Sequence, residues 1–245
     1  MSQDMPLLRL DHVSKRFGEK KIGPLGRFGQ NLGLVSPPAV TAAVSDVSLD
    51  VFKGEVVGLV GESGCGKSTL GRMAAGILKP SSGDIYVEGQ NIRQMSSREQ
   101  KHAQLRIQMV FQDPYASLNP RLRVSDIVGE SPLIHGLTTS RDLDSYVSAQ
   151  LERAGLSATF RNRFAHQFSG GQRQRIGIAR ALAVQPDMLV CDEAVAALDV
   201  SIQAQILNLF MDLRAELGLT YLFISHDLSV VEHLSDRVAI MYLGK

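Results

Sequence analysis

Four short apolar runs, each closing on glycine or a polar residue, frame the chain: VVGLV (56–60), IQMVFQ (107–112), DMLVCDE (187–193) and YLFISHD (221–227). Continuous β-branched runs of this length read as strands buried on both faces. Between them the apolar period lengthens. In DVSIQAQILNLFMDLRAELG, Ile202, Ile206, Leu209, Leu213 and Leu217 share one helical face and Gly218 is the expected terminator. The stretch after Gly66 predicts a helix to about Leu78, and residues 7–60 read as short strands. Strands alternating with helices imply a mainly parallel sheet covered on both faces. Residues 112–185 lack strand signals and carry Gly129, Gly136 and Gly155 as expected breaks, so this region reads as an inserted helical subdomain. The glycine- and proline-rich stretch 18–38 reads as a flexible loop.

The polar residues that close these runs carry the candidate chemistry. GESGCGKST (61–69) follows the first strand and opens a helix, the context a phosphate-binding loop requires. Gly61, Gly64 and Gly66 let backbone N–H groups point inward, with Glu62, Ser63 and Cys65 between them, and the new helix adds its positive end. Lys67 is expected to reach the β- and γ-phosphates of a nucleotide, Ser68 to ligate Mg²⁺, and Thr69 to complete the string. Asp192 and Glu193 emerge where ligands bind in an open α/β sheet, Asp192 for the Mg²⁺ shell and Glu193 to orient or deprotonate a water. Read alone, this acidic pair is equally a solvated helix start. His226 and Gln112 close their strands on the same edge: His226 as a donor toward the γ-phosphate or Glu193, Gln112 as an amide able to touch both Mg²⁺ and water. Each is, by itself, also an ordinary strand-end polar residue. Ser169, Gly170 and Gly171, before a helix expected near Gln172, offer a hydroxyl, N–H groups and a dipole terminus to a second phosphate contact.

Together these strings resemble the nucleotide-binding subunit of ABC transporters, over nearly the whole chain and in family order. GESGCGKS resembles the Walker A motif, Gln112 the Q-loop, FSGGQ (168–172) the signature, MLVCDE the Walker B with its glutamate, ALD (197–199) the D-loop and His226 the switch histidine. QMVFQDPYASLNPR (108–121) and LDVSIQAQILNL (198–209) are closest in wording to ATPases of dipeptide, oligopeptide, glutathione and nickel importers. The resemblance implies an α/β fold: a P-loop NTPase (RecA-like) core with an N-terminal antiparallel β subdomain and an inserted α-helical subdomain. It implies one domain over 1–245, with β subdomain and core in 7–112 and 186–245, helical subdomain in 113–185, and a flexible insertion at 18–40. It further implies ATP and Mg²⁺ as cofactors, Phe17 (with Phe28 as rival) stacking on adenine, and Asp199 at the site. Glu193, His226 and Gln112 become the catalytic set. The expected partners are a second ATPase subunit, identical or related, in a head-to-tail dimer where Ser169, Gly170, Gly171 and Gln172 cap the partner's nucleotide. Transmembrane permease subunits, docked through 113–124, and indirectly an extracytoplasmic substrate-binding protein complete the assembly. The expected activity is ATP hydrolysis driving uptake of peptides or a related small solute, at the cytoplasmic face of the membrane; an exporter or a non-transport ABC ATPase is the alternative. Two departures stand out: Phe168 replaces the usual leucine of the signature, and Ala194, Val195 and Ala196 replace the usual residues after the Walker B glutamate. The family also usually continues past MYLGK, so a tail beyond Lys245 is expected.

Composition narrows the class without changing it. A 245-residue chain that is 44% hydrophobic can bury one sizeable core. A net charge of +1 with interspersed signs argues against nucleic acid as a partner. Two cysteines, both inside predicted elements, argue against a disulfide framework and for a reducing compartment. No run approaches 18 apolar residues, so service to a membrane requires docking onto chains that span it.

Overall fold

The computed structural model describes residues 5–18 and 40–245. The predicted insertion at 18–40 and Phe28 lie essentially outside these residues. Two sheets enclose one helix. The strands β1 (Leu8–Phe17), β2 (Thr41–Val51), β4 (Ser82–Val87) and β5 (Gln90–Asn91) form an antiparallel sheet ordered β2-β1-β4-β5. β3 (Val56–Val60), β6 (Ile107–Val110), β7 (Met188–Asp192), β8 (Thr220–Ser225) and β9 (Arg237–Ile240) form a parallel sheet ordered β6-β7-β8-β3-β9. Helix α1 (Lys67–Ala74) packs against β7 and β8 on one side and β1 and β2 on the other.

The parallel sheet is apolar throughout because both faces are covered. Val57 and Leu59, Val190, Leu222 and Ile224 face α1 and share a core with Leu8, Leu10, Val13 and Val44 of the antiparallel sheet. Their sequence neighbours Val56 and Val60, Leu189, Cys191, Tyr221 and Phe223 point to the opposite side. There they meet α5 (Gly170–Leu182) and α6 (Val200–Leu217) in a second core, where Phe210 packs edge-on against Tyr221 and Phe223. The period-2 alternation places consecutive apolar residues on alternate faces.

β1 and β2 run to ten and eleven residues, longer than the short strands the sequence predicts. The register of β1 against β2 shifts between Leu10 and Val13. His12 (φ 49°) and Asp46 (φ 59°) sit in left-handed conformations across this irregularity, with His12 Nδ1 2.8 Å from Asp46 Oδ1.

Helix α1 stops at Ala74, short of Leu78. Gly76 follows at φ +69°, and the amides of Ile77 and Leu78 both turn back to the Arg72 carbonyl. Residues 113–185 hold α3 (Val124–Ile134), α4 (Leu143–Arg153), two 3₁₀ turns and α5, after α2 (Ser97–Arg106) upstream; their one β-bridge, among the described residues, joins Arg123 to Phe164. Gly136 and Gly155 do follow helix ends, each at φ +71°. Gly129 does not break anything: it lies inside α3, where a Cβ would stand 2.8 Å from Leu143 Cδ1 of α4. The missing side chain there permits a close helix–helix approach. Gly218 ends α6 at φ +67° as expected, but Leu217 is exposed, and Phe210 joins Ile206, Leu209 and Leu213 on the buried face. Among the described residues no helix is long and apolar enough to cross a membrane. α7 (Leu228–Leu234) covers β3 and β8 before β9.

Candidate active site

In a parallel sheet all strands end on one edge, and the register aligns those ends here. Val110 pairs with Cys191, Asp192 with Ile224, and Val60 with both Ser225 and Ile240. Gln112, Glu193, His226 and the loop 61–66 therefore leave the sheet side by side. Gln112 Nε2 donates to Glu193 Oε2 at 2.7 Å, and His226 Nδ1 stands 3.5 Å from that same oxygen. A carboxylate is thus held between an amide donor and an imidazole. Glu193 occupies a left-handed backbone conformation (φ 45°), and its N–H donates to the Ile224 carbonyl at 3.0 Å. Such a torsion costs a non-glycine residue roughly 1–3 kcal/mol and persists where surrounding structure over-determines it. Here it turns Glu193 away from the strand direction of Asp192.

Asp192 points to the phosphate loop. Ser68 Oγ donates to Asp192 Oδ1 at 2.7 Å. Burial pushes the Asp192 carboxyl above its ordinary range, with the Glu193 charge adding to it; the Ser68 hydroxyl, Arg72 and Lys67 pull the other way. Lys67 is buried, and its ammonium donates to the carbonyls of Gly61 (2.7 Å) and Glu62 (2.8 Å). Within the loop, Glu62, Ser63 and Gly64 are exposed, Cys65 is buried, and Gly66 (φ 109°) is the N-cap of α1, followed by Lys67, Ser68 and Thr69 in its first turn. Gly66 is required twice over: its torsion suits only glycine, and a Cβ would drive into the Ala43 carbonyl of β2. That contact seats the end of the antiparallel sheet against the loop. Phe17 pairs with Thr41 at the same end; it is half-exposed, with Lys15 Nζ 5.5 Å from its ring centroid.

The donor set fits a magnesium nucleotide. Two hard oxygens, Ser68 Oγ and Asp192 Oδ1, lie side by side, suited to an ion that takes one or two protein ligands and completes its shell with phosphate and water. The buried Lys67 and the N-terminus of α1 supply the positive charge such phosphates need.

Ser169, Gly170, Gly171 and Gln172 lie elsewhere. Ser169 is the N-cap of α5, which starts at Gly170, two residues before the expected position. Its hydroxyl accepts from the Gln172 N–H (3.4 Å) while Gln172 Oε1 accepts from the Ser169 N–H (3.1 Å). α5 packs on α3, α4 and β6, and among the described residues no hydrogen bond or ion pair ties the signature to the phosphate loop. Phe168 is buried, meeting Phe160 edge-on at 5.3 Å, so the larger side chain at this signature position is absorbed by an aromatic pair. Asp199 is the exposed N-cap of α6 and makes no side-chain cap bond.

Sequence reasoning passed over Gln174, a polar residue on the buried face of α5, whose Nε2 donates to the Phe111 carbonyl at 3.3 Å next to Gln112. Its signal was available: Gln174 shares a helical face with Ile178 and Leu182, four and eight residues on, in an otherwise apolar stripe.

The sequence model of the family described as ABC transporter matches residues 44–196. The oligopeptide transport ATP-binding protein OppF of Bacillus subtilis is 52% identical over 213 residues, covering 86% of this chain and 70% of that protein. The dipeptide transport ATP-binding protein DppF of Haemophilus influenzae is 45% identical over 245 residues, covering 100% of this chain and 72% of that protein. Among solved structures, the dimeric post-hydrolysis state of the ATP-binding cassette MJ0796 bound to ADP and Pi aligns with a TM-score of 0.79 at 28% identity, covering 97% of this chain and 95% of that one. With a phosphate loop on β3, a carboxylate pair on β7 and these relatives, the chain belongs to the ABC transporter family, as one of its ATPases.

Proposed function

We propose that this chain is the ATP-binding and ATP-hydrolysing subunit of an importer for peptides or a related small solute, acting at the cytoplasmic face of a membrane beneath a separate permease. The observation that carries the reading is the meeting of Gln112, Glu193 and His226 beside the Ser68–Asp192 pair on one sheet edge. Peptide cargo follows the names of the oligopeptide and dipeptide transport relatives, and import rather than export follows a putative peptide import ATP-binding protein of Brucella ovis, 50% identical over 207 residues.

In this reading Lys67 and the N–H groups from Gly61 to Thr69 hold the β- and γ-phosphates, and Phe17 stacks on the base. Ser68, Asp192 and the Gln112 amide face the metal side. Bound Mg²⁺ would neutralise charge developing on the transferred phosphoryl group. Glu193 takes the proton from the attacking water, while Gln112 and His226 hold its carboxylate in place. His226, exposed on its outer side, also reaches the γ-phosphate. Water attack alone lacks a second set of donors, and Ser169, Gly170, Gly171 and Gln172 supply it from a partner subunit in a head-to-tail dimer, with Asp199 at the seam. We assign 7–112 and 186–245 to the β subdomain and core, and 113–185 to a helical subdomain that carries the signature and offers 113–124 to the permease. An extracytoplasmic binding protein delivers the cargo.

The test is uptake. Cells whose native chain is replaced by a Glu193→Gln chain should lose uptake of labelled di- and oligopeptides while the protein stays with its membrane complex. Unchanged peptide uptake would overturn the proposal; loss of uptake of another solute alone would keep the ATPase role and replace the cargo.

A further inference from the structure

Three side chains of α5 reach across to the segment that carries Gln112. Gln174 Nε2 donates to the Phe111 carbonyl at 3.3 Å, Arg180 Nη1 donates to the Ser117 carbonyl at 2.7 Å, and the Arg173 guanidinium lies 4.1 Å from the centroid of the Tyr115 ring. Arg173 is itself fixed, donating through Nε to the carbonyl of Phe168 (2.9 Å), the first residue of the signature, and through Nη2 to that of His166 (3.0 Å), two residues before it. On the other side, the Asp113 carboxylate accepts from the N–H groups of Tyr115 (2.7 Å) and Ala116 (3.1 Å), so the ring rides on a turn that begins one residue after Gln112. A position 3.8 Å from the Tyr115 hydroxyl is where a Cβ on Gly170 would stand, which places the ring against the start of α5 as well.

We infer that Arg173 and Tyr115 are a positioning pair for hydrolysis: their stacked contact sets where the Gln112 amide meets Glu193, by tying the turn after Gln112 to the backbone just before Ser169. Neither side chain touches the phosphate loop. Gln174 and Arg180 are buried or nearly so and hold the same segment through carbonyls, which makes them part of the packing. Arg173 and Tyr115 are the adjustable part, because Tyr115 is 58% exposed and its ring contact can be lost without opening the core. A cation over an exposed aromatic face biases the aligned arrangement by roughly two- to fivefold, the equivalent of about 0.5–1 kcal/mol.

The experiment is steady-state MgATP hydrolysis by the intact transporter complex carrying Tyr115→Ala, Tyr115→Phe, Arg173→Ala or the Tyr115→Ala/Arg173→Ala pair, with thermal denaturation of each. Tyr115→Ala should lower kcat by about two- to fivefold with KM for ATP unchanged and Tm lowered by no more than about 4 °C. Tyr115→Phe, which keeps the ring face, should recover most of the kcat lost in Tyr115→Ala. In an Arg173→Ala background, Tyr115→Ala should cost nothing further, because the partner is already gone. An unchanged kcat in Tyr115→Ala, a loss in Tyr115→Phe equal to that in Tyr115→Ala, or full additivity in the double variant would each overturn the assignment.

Discussion

Replacing Glu193 by glutamine separates binding from chemistry more cleanly than any other change at this site. Glutamine keeps the shape of the side chain, accepts a bond from Gln112 Nε2, which now reaches Glu193 Oε2 at 2.7 Å, and leaves the backbone bond to the Ile224 carbonyl in place. What it removes is one negative charge and the ability to take a proton. A positioned general base contributes roughly 10²–10⁴ in rate, which at about 1.36 kcal/mol per decade is roughly 2.7–5.4 kcal/mol of transition-state stabilisation. Binding should not suffer. Burial is the main influence raising the Asp192 carboxyl and the Glu193 charge adds to it, so removing that charge moves Asp192 toward its ordinary range, the direction that favours metal binding. The assay is rapid-quench single turnover of radiolabelled ATP beside equilibrium ATP binding, both with and without Mg²⁺. We expect phosphate release slowed at least a hundredfold, with affinity equal to or tighter than the parent's. A rate within tenfold of the parent would refute the base assignment. Lost binding would refute the placement of Glu193 outside the phosphate cradle.

Four further outcomes are expected. Lys67→Ala and Ser169→Arg should each abolish turnover, yet a mixture of the two chains should recover about a quarter of it, since random pairing leaves one intact site in half the dimers; no recovery would exclude sharing between copies of this chain. Gly66→Ala should cost about 1–3 kcal/mol from its torsion alone, lowering Tm by roughly 2–12 °C, and should also weaken ATP binding by pushing the loop off Ala43; an unchanged Tm would count against the close approach. Phe17→Ala should raise the Kd for ATP roughly tenfold through lost stacking and leave single-turnover kcat alone. The His12 imidazole, bonded to Asp46, should titrate above its usual 6.5 in an NMR experiment and fall back toward it in Asp46→Asn, with the Asp11 charge still raising it. Its folded value is raised, so the pair's contribution is fully present below the unfolded value and lost as pH rises through the folded one.

The four buried strands of the parallel sheet were legible to within two residues because a run such as VVGLV, buried on both faces, has no polar position to blur its ends; the long, half-exposed β1 and β2 were not. The helices were less so. Apolar Ala75, Ile77 and Leu78 continue the pattern past the end of α1, and only Gly76 marks the stop. Gly129 misled for the opposite reason: it reads as a break, but its purpose is contact with α4, a tertiary fact that local pattern does not contain. At the site, strand-end polar residues could be named from the chain alone. That Gln112 bonds to Glu193 could not, since these residues are 81 positions apart and meet only because β6 lies next to β7. The left-handed torsion of Glu193 was equally invisible, because nothing in a glutamate signals it.

Strand order also grades compliance across the catalytic edge. β3, β7 and β8 each have hydrogen-bonded neighbours on both sides, whereas β6, four residues long, is paired on one side only among the described residues. The phosphate loop, the acidic pair and the histidine therefore hang from the stiff middle of the sheet, and Gln112 from its yielding margin. Strain arriving from the helical side is absorbed first where only an amide is displaced, while the groups that bear phosphate and metal charge stay put. Among the strands that end at the site, amide exchange should follow that gradient, faster along residues 107–110 than along 220–225.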